Sequence, residues 1–198
     1  VPLTAWRALF LVESKETMEN SVITILKHAF PDVSRSWFIP MSSCQLAIVY
    51  TFSEEISVDT LHSSAYLVMD LLNAEALIQV KVAYGAIYEH LNQLPKAYQE
   101  ASLALNAGKI FYPDQYVYPY DKLGIGRLIY GLSREQCSAY LKEALGDCSP
   151  DFFQPETVHV INCFLDNNLN IAETTRHLHM HRNTLIYRLE QIQKESGL

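Results

Sequence analysis

The chain has 198 residues, 49% of them hydrophobic and 19% charged, a globular composition with enough apolar mass for one large or two small domains. Disorder is excluded, no run approaches the roughly 18 apolar residues of a membrane span, and no basic-then-apolar leader stands at the start. A formal charge of −7 excludes a uniformly basic polyanion binder and restricts any nucleic-acid contact to a local patch.

The four cysteines, Cys44, Cys137, Cys148 and Cys163, are widely spaced without a CxxC pair. Reduced thiols in a cytoplasm are the plain expectation. The first residue is Val1 rather than methionine, which reads as a piece of a longer protein with further segments upstream. Residues 156–198 carry four basic against five acidic side chains, a charge of −1, which leaves −6 on residues 1–155.

In chain order, AWRALFLV (5–12) predicts a buried strand, and ENSVITILKHAF (19–30) a helix with Val22, Leu26 and Ala29 on one face and Pro31 just beyond. RSWFIPM (35–41) and CQLAIVYTF (44–52), separated by Ser42 and Ser43, predict a hairpin. Residues 58–77 place Leu61, Ala65, Val68 and Leu72 along one helical face. IQVKVAYGAIYE (78–89) alternates as a strand with Val80, Val82 and Tyr84 on one side. Pro95 opens a helix through Ala97, Ala101, Ala104 and Leu105, with Gly108 as its C-terminal cap, and QYVYPY (115–120) is a short closing strand. The order β-α-β-β-α-β-α-β with one hairpin predicts an α+β sheet covered by helices.

After residue 122 strand signals stop. Ser133 and Gln136 form a capping-box pattern for a helix through Cys137, Tyr140, Leu141 and Ala144 that Gly146 ends. DCSPDFFQP (147–155) reads as a linker. Pro155 then starts a helix with Val158, Ile161 and Leu165 inward, ending at Asn167 and Asn168. Asn170 caps a short helix to Leu178, with Ile171, Thr174 or Thr175, and Leu178 inward; a break at His179 and Met180 leads to a third helix from about Arg182 to Ser196, burying Leu185, Leu189 and Ile192. A short helix, a tight turn and a longer helix make a helix-turn-helix.

That arrangement decides how the alternating histidines of HLHMHRNTLIYRL (177–189) are read. His177 belongs to the second tail helix, His179 to the turn and His181 to the start of the third, so they diverge and no metal site is expected. His181, Arg182, Asn183, Thr184, Tyr187 and Arg188 crowd the leading end of the third helix, away from its apolar set. A recognition helix sets such residues against base edges: Arg pairs with guanine, Asn with adenine, and Thr touches a base or the thymine methyl. The helix's positive end favours phosphate. As a purely structural alternative, Asn183 and Thr184 are an N-terminal capping cluster.

NIAETTRHLHMHRNTLIYRLEQIQKESGL (170–198), above all HRNTL followed by YRL, resembles the C-terminal helix-turn-helix of the PucR/CdaR-like family of bacterial transcription factors. VAYGAIYEHLNQLPKAYQEASLAL (82–105) and YPYDKLGI (118–125) resemble that family's intermediate domain, a degenerate relative of the GGDEF nucleotide-cyclase fold. The resemblance implies a GGDEF-like α+β domain at 1–121, a helical connector and linker at 122–149 and an all-α helix-turn-helix domain at 150–198. It implies a double-stranded DNA operator as partner, a homodimer with half-sites roughly 34 Å apart, and a small-molecule effector sensed upstream of this chain. The family's tail usually continues past the position of Leu198. Thr175 stands where the family favours Ala, and Ile186, Glu190 and Gln191 where it often has basic residues, so fewer phosphate contacts are expected.

An active cyclase is the rival reading. Its chemistry needs paired carboxylates on the hairpin and adjacent strand to hold divalent metals, whereas the hairpin turn here is Met41-Ser42-Ser43-Cys44-Gln45. No catalytic residue, cofactor or metal is expected. Gly124-Ile125-Gly126 lacks the third glycine of a phosphate loop and reads as a turn, and Tyr112, Tyr116, Tyr118 and Tyr120 read as packing on an edge strand. The first domain is then expected to serve dimer contact or signal relay. Ile186, if exposed, and the helix at 134–145 are further candidates for such a contact, although burial within one subunit is the leading expectation for both.

Overall fold

The computed structural model describes residues 4–30, 33–146 and 148–197. Pro31, expected just past the first helix, and Asp147, expected at the head of the linker, lie outside the described residues. Contacts divide the chain into two compact units, Val1–Gly131 and Leu132–Leu198.

The first unit is built on strand β1 (Thr4–Ser14), whose successive residues Ala8, Leu9, Phe10, Leu11 and Val12 are all buried. A strand apolar on both faces must be covered on both, and here it is. Antiparallel neighbours flank β1: β3 (Gln45–Thr51), itself in a hairpin with β2 (Ser36–Ser42), and β4 (Val80–Tyr84). At the far edge β6 (Val117–Pro119) runs parallel to β4, giving a mixed sheet of order β2-β3-β1-β4-β6. Helices α1 (Asn20–Ala29) and α2 (Val58–Glu75) cover one face, joining Leu26, Leu61, Ala65, Val68 and Leu72 to Phe10, Ile48 and Val82. On the other face α3 (Leu94–Phe111) presents Ala97, Ala101, Ala104 and Leu105 to Leu9, Leu11, Ala47 and Ala83. The fold is α+β, with a mixed sheet covered by helices and an all-helical tail.

Two expectations for the first unit need correction. Residues 78–89 are not one strand: β4 stops at Tyr84 and pairing with β1 resumes at β5 (Tyr88–His90). Phe10 and Arg7, three residues apart on β1, face Tyr84 and Tyr88, four apart, so one extra residue bulges out. The amide of Ala86 at the bulge donates to Glu100 Oε2 on α3 at 2.9 Å. Nor is Gly108 a cap. It lies inside α3, which runs on to Phe111, and a Cβ there would collide with the buried Tyr118 ring. Among the edge tyrosines Tyr118 is core, while Tyr112 and Tyr116 are exposed. Gly124, at φ 54°, makes the turn before the short helix α4 (Gly126–Tyr130).

In the second unit, α5 (Arg134–Leu145) opens with the expected reciprocal cap, Ser133 Oγ accepting from the Gln136 amide and Gln136 Oε1 from the Ser133 amide. Gly146 at φ 57° ends it, and none of its residues is buried. A 3-10 turn at Pro150–Phe152 precedes α6 (Pro155–Asp166). The inward face of α6 differs from expectation. Val160 is buried, with Thr157, Ile161 and Phe164 half-buried beside it, while Val158 and Leu165 are exposed. Helices α7 (Ile171–His177) and α8 (Arg182–Ser196) complete the tail. Leu185 and Thr174 are fully buried, Leu178, Leu189 and Ile192 half-buried, and Ile186 is half-buried as well, closer to burial within one subunit than to an open contact surface.

Candidate nucleic-acid interface

Short-range hydrogen bonds shape the three-helix tail. Asn168 (φ 51°) and Leu169 (φ 63°) turn the chain out of α6 in the left-handed region, and Asn167 Nδ2 donates to the Cys163 carbonyl at 2.7 Å. Asn170 caps α7 twice, its Oδ1 accepting from the amides of Ala172 (2.9 Å) and Glu173 (3.2 Å). Thr174 Oγ1 donates to the Asn170 carbonyl at 2.8 Å, which satisfies a hydroxyl that is otherwise wholly buried.

Between α7 and α8 the chain makes a Schellman turn. Met180 donates its amide to the Thr175 carbonyl at 3.0 Å and His179 donates to Arg176 at 3.3 Å, with His179 itself at φ 49°. The three histidines therefore have three positions: His177 is the last residue of α7, His179 is the left-handed turn residue, and His181 is the N-cap of α8. Its Nδ1 accepts from the Asn183 amide at 3.3 Å. Among the described residues no group of three His, Cys, Asp or Glu is placed to hold a metal ion.

Because His181 supplies the cap, Asn183 and Thr184 are not the capping side chains of α8. Arg182, Asn183 and Thr184 are all exposed, and among the described residues no hydrogen bond or ion pair engages their side chains. Leu185, the next residue, is buried and anchors the helix on the opposite side. The first turn of α8 is thus a polar ridge on a positive helix end. One turn on, Tyr187 is exposed and its hydroxyl accepts from Gln191 Nε2 at 2.8 Å. Arg188 diverges from this group: half-buried, it lines a cleft of about 230 Å³ with Glu156 and Val160 of α6. Sequence reasoning also missed that Arg176 is paired with Glu173 at 2.8 Å, an i,i+3 pair that reduces the positive charge α7 offers.

The position where a cyclase would hold metal is different in kind. Glu13 near the end of β1 faces Gln45 beside the hairpin turn. Its Oε1 lies 2.6 Å from Lys109 Nζ of α3, and its Oε2 accepts from Gln45 Nε2 at 3.4 Å. A carboxylate neutralised by an ammonium is a poor match for the negative charge that two-metal phosphoryl chemistry uses.

Comparison with known proteins matches residues 1–107 to the GGDEF-like domain and residues 157–198 to the PucR C-terminal helix-turn-helix domain. The purine catabolism regulatory protein of Bacillus subtilis (strain 168) is 26% identical over 142 residues, 69% of this chain and 27% of that protein. The proline-responsive transcriptional activator PutR of the same organism is 26% identical over 173 residues, 82% of this chain and 41% of its own length. The DNA-binding transcriptional activator AdeR, also from B. subtilis, is 27% identical over 118 residues, 57% of this chain and 28% of that protein. The chain thus spans less than half the length of each of these relatives.

Proposed function

Because the chain belongs to the PucR/CdaR-like family, with a GGDEF-like domain ahead of a PucR helix-turn-helix, we propose that it is a sequence-specific DNA-binding transcription regulator working in the cytoplasm. The observation that carries this reading is the polar ridge of Arg182, Asn183 and Thr184 at the positive end of α8. In the major groove that ridge meets base edges, with Tyr187 beside it and His181 holding the helix start. Arg188, tucked toward α6, is assigned to the phosphate backbone at the rim of the groove.

A tail of net charge −1 neutralises few phosphates, so one copy binds weakly. Two copies supply two ridges and double the contacts, and a homodimer accordingly reads half-sites roughly 34 Å apart. The first domain is non-enzymatic in this reading and serves dimer contact, signal relay or effector binding, and the Glu13–Lys109 pair supports that role over nucleotide chemistry. Among the described residues no helix is long and apolar enough to cross a membrane.

Selection of genomic fragments bound by the chain at fixed salt tests the proposal. Enrichment of a repeated half-site with one-turn spacing is the expected result. Recovery of bulk sequence with no enriched motif would overturn it.

A further inference from the structure

Helix α5 is well capped at both ends, yet none of its 12 residues is buried. A helix of that length is marginal in water on its own, and most helices are held by an apolar face packed against a neighbour. Such a face is present. Cys137, Tyr140, Leu141, Ala144 and Leu145 recur at helical spacing, and Leu132 stands just ahead of the Ser133 cap. Only Cys137 and Leu145 are half-buried; Tyr140 is 69% exposed, Leu141 47% and Leu132 45%. Large apolar side chains left open along one stripe mark a surface that another molecule covers.

The charges on α5 indicate what fits this stripe. Arg134 and Glu135 open the helix, and Lys142 and Glu143 stand in its last turn. The apolar run 132–145 has its midpoint between Ser138 and Ala139. A second α5 laid antiparallel about that midpoint sets Leu132 level with Leu145, Cys137 with Tyr140, Arg134 with Glu143 and Glu135 with Lys142. Every acid then stands level with a base. Glu135 and Lys142, two helical turns apart, also share one flank of the stripe, the flank that faces itself in an antiparallel pair. A parallel copy would instead set each charge beside its own kind and align the two helix dipoles.

We infer that α5 is the surface through which two copies of this chain pair, each laying Cys137, Tyr140, Leu141 and Ala144 antiparallel against the other. Two helices of this length cover on the order of 1,000 Å² together, the low end for specific interfaces, so the pairing is reversible. Because α5 lies in the same unit as α6–α8, the two-fold axis of the pair also relates the two first turns of α8. Their half-sites are then inverted with respect to each other. The inference rests on the homodimer of the proposed function, to which it gives a surface and a direction, and it leaves the first domain to signal relay or effector binding.

Sedimentation equilibrium of the full chain, without DNA, tests it from about 1 to about 200 μM at roughly 50 mM salt, where exposed charges are little screened. A reversible monomer–dimer equilibrium with a micromolar dissociation constant is expected. Tyr140→Glu and Leu141→Glu should each weaken it at least about tenfold, with far-ultraviolet dichroism unchanged because both side chains are exposed. Glu135→Lys should weaken pairing about threefold or more, and adding Lys142→Glu should restore it to within about twofold of wild type. This charge exchange stays informative if either stripe variant fails to fold. A monomer at every concentration, wild-type pairing in Tyr140→Glu, or a double exchange no tighter than Glu135→Lys alone would overturn the proposal. Wild-type pairing in Tyr140→Glu would remove α5 as the surface while leaving the homodimer and the DNA reading in place.

Discussion

Met180 donates its backbone amide to the Thr175 carbonyl at 3.0 Å, closing a turn in which His179 takes φ 49°. Helices that end this way usually place glycine at the left-handed position, because a Cβ there crowds the following carbonyl oxygen. His179→Gly should therefore stabilise the tail by about 0.5–1 kcal/mol, read as a higher urea midpoint. A lower midpoint would mean that the imidazole holds the turn through its own contacts.

The hydrophobic core of the tail is small, so its few fully buried side chains carry disproportionate weight. Leu185 is 0% exposed whereas Leu165 is 58% exposed, although both sit on apolar stripes of their helices. Leu185→Ala should cost about 2–5 kcal/mol, and Leu165→Ala should stay within about 0.5 kcal/mol of wild type. Chemical denaturation followed by far-ultraviolet dichroism distinguishes them; equal losses would contradict the packing described.

Most of the fold could be read from periodicity. The unbroken apolar run of β1, the helical spacing of α1 and α2 and the hairpin at Ser42 and Ser43 are local patterns that long-range contacts only reinforce. What periodicity missed is decided at a distance. The break after Tyr84 comes where the Ala86 amide turns to Glu100 of α3, and Gly108 looks like a cap until the Tyr118 ring, ten residues on, occupies its place. On α6 two apolar stripes compete, and a core this small buries only the one through Val160. At the interface, the polar ridge of Arg182, Asn183 and Thr184 was visible as residue types at a helix start. The pairing of Arg176 with Glu173 was legible as well, from its i,i+3 spacing, whereas the half-buried place of Arg188 beside α6 was not, because tertiary packing sets it.

Burial pushes the Tyr88 phenol up from 10.0 to about 12, with the nearby Arg7 charge opposing the rise. The fold thus favours the protonated phenol. That contribution to stability is complete below pH 10 and is lost as pH climbs through about 12. Between pH 9 and pH 11.5 the urea midpoint of wild type should consequently fall further than that of Tyr88→Phe. Identical falls would show that Tyr88 ionises as readily in the folded chain as in the unfolded one.

Glu13 has its carboxylate engaged by Lys109 at 2.6 Å, and a carboxylate so neutralised is a poor ligand for a catalytic metal. Incubation with GTP or ATP and magnesium should yield no cyclised or condensed product by chromatography. Turnover abolished by Glu13→Gln would reverse the non-enzymatic assignment.

The central claim concerns the first turn of α8, and substitution at Arg182 tests it most directly. With a selected genomic target and matched salt, Arg182→Ala should weaken specific binding by about 1–3 kcal/mol and relax preference at one base position. Its urea midpoint should remain at the wild-type value, since the side chain is exposed. Unchanged affinity and unchanged base preference in Arg182→Ala would contradict the assignment of this turn as the reading surface.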